Sequence, residues 1–276
     1  MAPLTYLITG ANKGLGYEAA RILAERFGNA VAVLLGTRSV ENGKAAIAKM
    51  KQANPSFDYA NVHLVEIDVT KKESILAAAE HVKTSFGNLH CLINNAGVGG
   101  QPEGAEMCFN VNVFGVYDTL TAFHPLLVPG QSSNIVVGSM VGSMPLSAIT
   151  ADLQAIFLDF NALDIDAHHR LVDDWLASAQ GKPSKYTWPE MAETYGPYGV
   201  SKTMVLALAR KWAIDHPQVK KTMVCPGYCA TDLNGFAGTL PPSEGAERIL
   251  FPIFHPELTE NGGFYREGTA YPFILP

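Results

Sequence analysis

The sequence predicts a doubly wound α/β fold, in which a parallel sheet is covered by helices on both faces. Strand-like and helix-like segments alternate along most of the chain. The strand candidates are continuous apolar runs without polar alternation, as expected when both faces of a sheet are covered. Each glycine-rich or polar motif directly follows such a run, at the strand end where a sheet of this kind binds its ligands.

Leu4 to Thr9 is the first apolar, β-forming run. From Gly14 to Phe27 the apolar residues recur at helical spacing, and Gly28 supplies a stop. Ala30 to Leu35 is again continuous and apolar. A polar helix follows over Asn42 to Asn54, ended by Pro55. Val62 to Ile67 reads as a strand, Lys71 to Phe86 as a helix closed by Gly87, and Leu89 to Ile93 as a strand. Met107 to Leu127 reads as one long helix and Ile135 to Val137 as a strand. Pro197 to Asp215 is helical, Val219 to Cys225 is a strand, and Ser243 to Phe254 is a helix opened by a serine cap. The rhythm breaks once, in an insertion over 144–195 that contains no clear strand. It holds helical pieces at Leu153 to Leu163 and Asp164 to Ala179, then a turn-rich linker from Gly181 to Pro189.

A chain of 276 residues fits one large domain, here 1–276, able to bury a core without disulfides or metals. A formal charge of −6 argues against a general nucleic-acid or anionic-membrane binder. No apolar run reaches membrane-spanning length, and the N-terminus lacks a secretory pattern. Cys91, Cys108, Cys225 and Cys229 are sparse and unevenly spaced, which fits reduced thiols in a cytoplasmic protein.

Thr9-Gly10 through Gly16 lies between a strand and a helix, with spacing G-x-x-x-G-x-G. Glycines let backbone approach a pyrophosphate, and the helix N-terminus offers free N–H groups. At the end of the second strand, where an acid would bind the ribose hydroxyl of NAD, stand Gly36-Thr37-Arg38-Ser39. Arg38 can fork onto a 2′-phosphate and Lys13 can add a second charge, so NADP(H) is the expected cofactor. Tyr198 and Lys202 stand four apart on a predicted helix and share one face. A nearby cation would lower the tyrosine pKa from about 10. Tyr195 cannot make the same pair, because position 199 is Gly.

At this point the chain resembles the short-chain dehydrogenase/reductase family over residues 4–143 and 195–265. The matching residues are Thr9-Gly10…Gly14-Leu15-Gly16, Asp68, Asn94-Asn95-Ala96-Gly97, Asn112 in Asn112-Val113-Phe114-Gly115, Ser139, Tyr198…Lys202, and Pro226-Gly227 with Thr231. Asn12-Lys13, Thr37-Arg38, Cys225-Pro226-Gly227 and Ser243-Glu244-Gly245-Ala246 look most like its NADPH-dependent carbonyl reductase branch, which also carries an insertion before the tyrosine.

The resemblance implies a Rossmann-type domain that passes hydride from NADPH to an aldehyde or ketone carbonyl. Tyr198 would be the general acid, Lys202 would hold the nicotinamide ribose, Ser139 would bind the reacting oxygen, and Asn112 would position a relay water. Cofactor contacts would come from Gly10, Asn12, Lys13, Gly14, Leu15, Gly16, Arg38, Asp68, Val69, Asn95, Ala96, Gly97, Tyr198, Lys202, Pro226, Gly227, Cys229 and Thr231. Ser143 rivals Ser139 for its role. Cys229 stands where the family often has a hydrophobic residue, and the stretch from Gly97 to Asn112 is short for a carbonyl reductase. Other members use the surface before the tyrosine helix for tetramers; the insertion would cover it and leave a monomer, or would roof the substrate site.

Two rival functions fit the same motifs: a ketoreductase or alcohol dehydrogenase with one narrow biosynthetic substrate, and a non-catalytic NADP(H)-sensing protein. A run of acids and histidines, Asp164, Asp166, His168, His169, Asp173 and Asp174, invites a metal site. Successive helical residues point apart, so a solvated face is the simpler reading and no metal is expected.

Overall fold

The architecture is built on a single eight-stranded sheet, described by a computed structural model that covers residues 2–190 and 195–275. Positions 191–194 of the insertion lie outside the described residues. The strands are β1 (Leu4–Ile8), β2 (Val31–Thr37), β3 (Val62–Glu66), β4 (Cys91–Asn94), β5 (Ser133–Val137), β6 (Lys220–Cys225), β7 (Gly263–Arg266) and β8 (Thr269–Ala270). Their order in space is β3-β2-β1-β4-β5-β6-β7-β8, parallel throughout except for β7 against β8.

The sheet separates two apolar cores, as the unalternating strands require. Helices α1 (Gly14–Phe27), α2 (Val40–Ala53) and α10 (Pro242–Phe254) bury Leu23, Met50 and Ile249 on one face. On the other lie α3 (Lys72–Phe86), α4 (Ala105–Phe109), α5 (Gly115–Phe123) and α9 (Gly196–Asp215), burying Ile75, Phe123 and Leu206. All seven residues of β2 are buried. Only β3, at the sheet edge, alternates, with His63 and Glu66 exposed.

Ile8 of β1 pairs with Leu35 of β2 on one side and Ile93 of β4 on the other. The sheet thus extends from β1 in opposite directions, which makes the carboxyl end of β1 its switch point, where a fold of this kind binds its ligands.

Four local expectations are corrected. The long helix over Met107 to Leu127 is interrupted: α4 passes through a π-helical turn, Asn110–Phe114, into α5, and a 3-10 turn at His124–Leu126 follows, where Pro125 lacks an N–H for a continuing α-helix. The helix expected over Leu153 to Leu163 is α7 (Ala151–Leu158), preceded by α6 (Ser143–Ala148). Ser243 does not cap α10, because Pro242 occupies its first turn and Pro241 its cap. Strands β7 and β8 were not foreseen; four and two residues are too few to set a period.

The insertion packs against the body of the domain. Its longest helix, α8 (Ile165–Ala179), sets Trp175 edge-on to Phe109 at 5.2 Å and stacks His169 on Phe114 at 3.9 Å. His168 is buried, with Nδ1 2.8 Å from the Asp164 carbonyl and Nε2 3.2 Å from the Met204 carbonyl of α9. Asp164 caps the helix by accepting from Ala167 N, and Asp174 accepts from the backbone of Lys185 and Tyr186 and from Trp188 Nε1. The acid and histidine run is therefore dispersed among cap, core and linker. Among the described residues no group of three His, Cys, Asp or Glu side chains could hold a metal.

Candidate active site

Three strand ends meet at one crevice. After β1, Gly10 adopts a positive φ of 64°, and a Cβ there would come 2.9 Å from Ala96 Cα. The turn after β4 is thus pressed directly on the turn after β1, which only glycine permits. Asn95 fastens the two: its Nδ2 donates to the carbonyls of Thr9 (2.9 Å) and Gly10 (3.2 Å), while Thr9 Oγ1 accepts from Asn95 N and Ala96 N, both at 3.0 Å. Asn95 and Ala96 thereby shape the glycine turn.

The α1 N-terminus that this turn presents has no side-chain cap and no acidic residue in its first turn. Its free N–H groups and positive dipole end fit a pyrophosphate. The methyl of Thr231 stands over this end, 3.5 Å from where a Cβ of Gly14 would be. Arg38 is exposed at the end of β2. Lys13, in the glycine turn, is exposed, with its Nζ 3.6 Å from Asp232 in the loop after β6. Asp68, after β3, accepts from Thr70 N and Oγ1 at 3.1 and 2.7 Å. Burial pushes its carboxyl up, but the Thr70 bonds and Lys71 outweigh this and hold it below the usual range. Val69 packs its backbone on α5, where a Cβ at Gly115 would meet Val69 O at 2.6 Å.

The loop after β6 begins with Pro226 and a left-handed Gly227, φ 91°. Cys229 points its thiol at the Pro226 carbonyl, 3.5 Å away, and toward Gly245 of α10. Cys229 is buried, and its carbonyl accepts from Asn234 Nδ2 at 2.9 Å.

Tyr198 and Lys202 lie in the first half of α9, under the ends of β4 and β5. Lys202 is 7% exposed, and its Nζ donates to the Val137 carbonyl at the end of β5 at 2.8 Å. Burial pushes its pKa down to about 8. The Ser139 side chain adjoins the Tyr198 phenol, and the ring centre of Tyr198 is 5.7 Å from Lys202 Nζ. Burial pushes the phenol up to about 12, only partly offset by Ser139. The expected lowering by Lys202 is absent in the protein alone: desolvation of the phenolate dominates, and the ammonium is engaged with Val137.

Asn112 sits in the π-helical turn and is buried. Its Oδ1 accepts from Val98 N and its Nδ2 donates to Val98 O, both at 3.0 Å. Asn112 Oδ1 and Lys202 Nζ both flank Gly97, at 3.3 and 3.9 Å from where its Cβ would be. Ser143 is not a rival for Ser139, because its hydroxyl donates to the Pro272 carbonyl at 2.9 Å. Tyr195 is exposed in a left-handed conformation at the start of α9, not in the site.

The sequence reading missed Ser201, whose hydroxyl accepts from Asn112 Nδ2 at 3.0 Å. Its position next to Lys202, one turn past Tyr198, was the available signal. A groove of about 880 Å³ between the end of α1 and α10, lined by Arg26, Phe251 and Phe254 among others, includes none of these side chains.

Residues 5–151 match the family profile described as short chain dehydrogenase. Over 97% of its length the chain is 30% identical to short-chain dehydrogenase/reductase 1 of Saponaria officinalis, covering 95% of that protein. It is 28% identical to carbonyl reductase (NADPH) 1 of Mus musculus, across 97% of each chain. The structure of salutaridine reductase from Papaver somniferum superposes with a TM-score of 0.80 at 27% identity, over 95% of this chain and 99% of that one.

Lys202 is expected to titrate near pH 8 in the protein alone, losing its cation as the pH rises through that value. NMR of ¹³C-labelled lysines, with Lys202→Met for assignment, reads this directly. A Lys202 pKa at the ordinary value, about 10.4, would contradict its burial.

Proposed function

This chain belongs to the short-chain dehydrogenase family, and we propose that it reduces the carbonyl of an aldehyde or ketone with NADPH, using Tyr198 as proton donor. The observation that carries this reading is the buried Lys202 ammonium on the Val137 carbonyl, 5.7 Å from the Tyr198 ring centre, with Asn112 converging on Gly97 beside it. The named reductases among its relatives support the same chemistry.

Bound NADPH supplies the hydride. The uncapped N-terminus of α1 receives the pyrophosphate, and Arg38 receives the 2′-phosphate. Lys13, exposed and held only by a 3.6 Å surface ion pair with Asp232, would add a second charge there. A phenol pushed up to about 12 holds its proton at neutral pH, as a donor must. Ser139 orients the carbonyl oxygen toward Tyr198, which releases its proton as negative charge develops on that oxygen. The Lys202 ammonium, 5.7 Å from the Tyr198 ring, then stabilises the phenolate. Asn112 steadies the Lys202 side of the site through Val98 and Gly97. A non-catalytic sensor would need none of this proton-handling geometry.

We also read the protein as a monomer, because α8 lies across the π-helical turn and α9. A cytoplasmic location is supported by four buried, unpaired cysteines, and cell fractionation tests it. Among the described residues no helix is long and apolar enough to cross a membrane.

Tyr198→Phe should lower turnover by about 10²- to 10⁴-fold while NADPH still binds, measured by NADPH oxidation and by fluorescence titration. Retained turnover would remove Tyr198 from its role. Arg38→Ala should raise the KM for NADPH by about tenfold or more and leave that for NADH within about twofold; equal changes would refute the 2′-phosphate contact. Sedimentation should return a single protomer, and a tetramer would overturn the reading of the insertion.

A further inference from the structure

We infer that Ser201 is a positioning residue that locks Asn112 to the helix carrying Tyr198 and Lys202. This inference rests on the reductase reading of the site.

Ser201 is fully buried, and its hydroxyl has one proton to give. That proton goes to the Tyr198 carbonyl at 2.8 Å. The oxygen is left to accept, and Asn112 Nδ2 donates to it at 3.0 Å. A directed chain therefore runs from the Asn112 amide through Ser201 to the backbone of Tyr198. The Asn112 amide has two N–H bonds. One goes to the Val98 carbonyl at 3.0 Å, within the neighbouring loop; the other reaches α9 through Ser201. Cys108 Sγ, 3.3 Å from Asn112 Nδ2 and 3.6 Å from Ser201 Oγ, fills the remaining side of the same junction. It is a weak hydrogen-bonding group on α4, and its own contact with α9 runs through the same Ser201 hydroxyl.

Without the Ser201 hydroxyl, Asn112 keeps its Val98 bonds but loses its tie to the helix. The distance between the π-helical turn and Lys202 is then set by apolar packing alone. Displacements well below 1 Å matter to a proton donor and its supporting groups.

The test is a double-mutant cycle read in turnover. Ser201→Ala should lower kcat about tenfold with the KM for NADPH within about twofold. In an Asn112→Ala background the same change should cost less than about twofold, because its route of action is already gone. Ser201→Cys fills the site with a slightly larger group, replaces the hydroxyl with a weak hydrogen-bonding one, and carries the test should the alanine variant fold poorly. It should also lose several-fold in kcat, again only when Asn112 is present. Equal losses in both backgrounds, or a cysteine variant with wild-type kcat, would overturn the inference. If instead Asn112→Ala and Tyr198→Phe both keep full activity, it is the reductase site itself that fails.

Discussion

A buried ammonium held by a single strand-end carbonyl, Lys202 Nζ on Val137 O, ties α9 to the sheet. Burying an ammonium is costly, and Lys202 meets that cost partly by a pKa pushed down to about 8. The surroundings are arranged accordingly. Gly97 has no side chain, and a Cβ there would stand 3.9 Å from the ammonium. Asn112 turns its carbonyl oxygen toward the same position, and the π-helical turn places that amide. Tyr198, one helical turn earlier, shares the desolvated environment, which holds its proton in place until charge appears next to it.

The cofactor half of the site depends on a different constraint, the close contact of two turns. Gly10 against Ala96, fastened by Asn95, fixes the direction in which α1 leaves β1. The N-terminus of α1 therefore opens at the switch point of the sheet, where β1 lies between β2 and β4. Thr231 and Asp232 reach it from the loop after β6, so the glycine turn and that loop share contacts at Gly14 and Lys13.

Much of this was legible in the sequence because strong local signals coincide with it. Leu4 to Ile8 and Val31 to Thr37 are mostly apolar and buried almost throughout, and Tyr198 and Lys202 fall on one helix as their spacing requires. What escaped is decided by contacts distant in the chain. The apolar residues of Met107 to Leu127 suit an α-helix, and nothing local announces the wider turn at Asn112. Ser201 looks like any helical serine until Asn112, 89 positions away, is seen to donate to it. The Tyr198 environment shows a related limit. Sequence spacing supplies the neighbouring cation, but desolvation is a property of the folded surroundings. The acid and histidine run reads locally as a solvated face, and only the packing shows His168 buried against the Met204 carbonyl and His169 stacked on Phe114.

The chemistry follows from these constraints as a pairing of hydride delivery with a retained proton on Tyr198. The most direct measurement is to supply NADPH deuterated at nicotinamide C4 with a panel of aldehydes and ketones, and to examine the alcohols by mass spectrometry and NMR. The account predicts deuterium on the carbinol carbon of at least one product. NADPH binding without deuterium transfer to any carbonyl in the panel would contradict it.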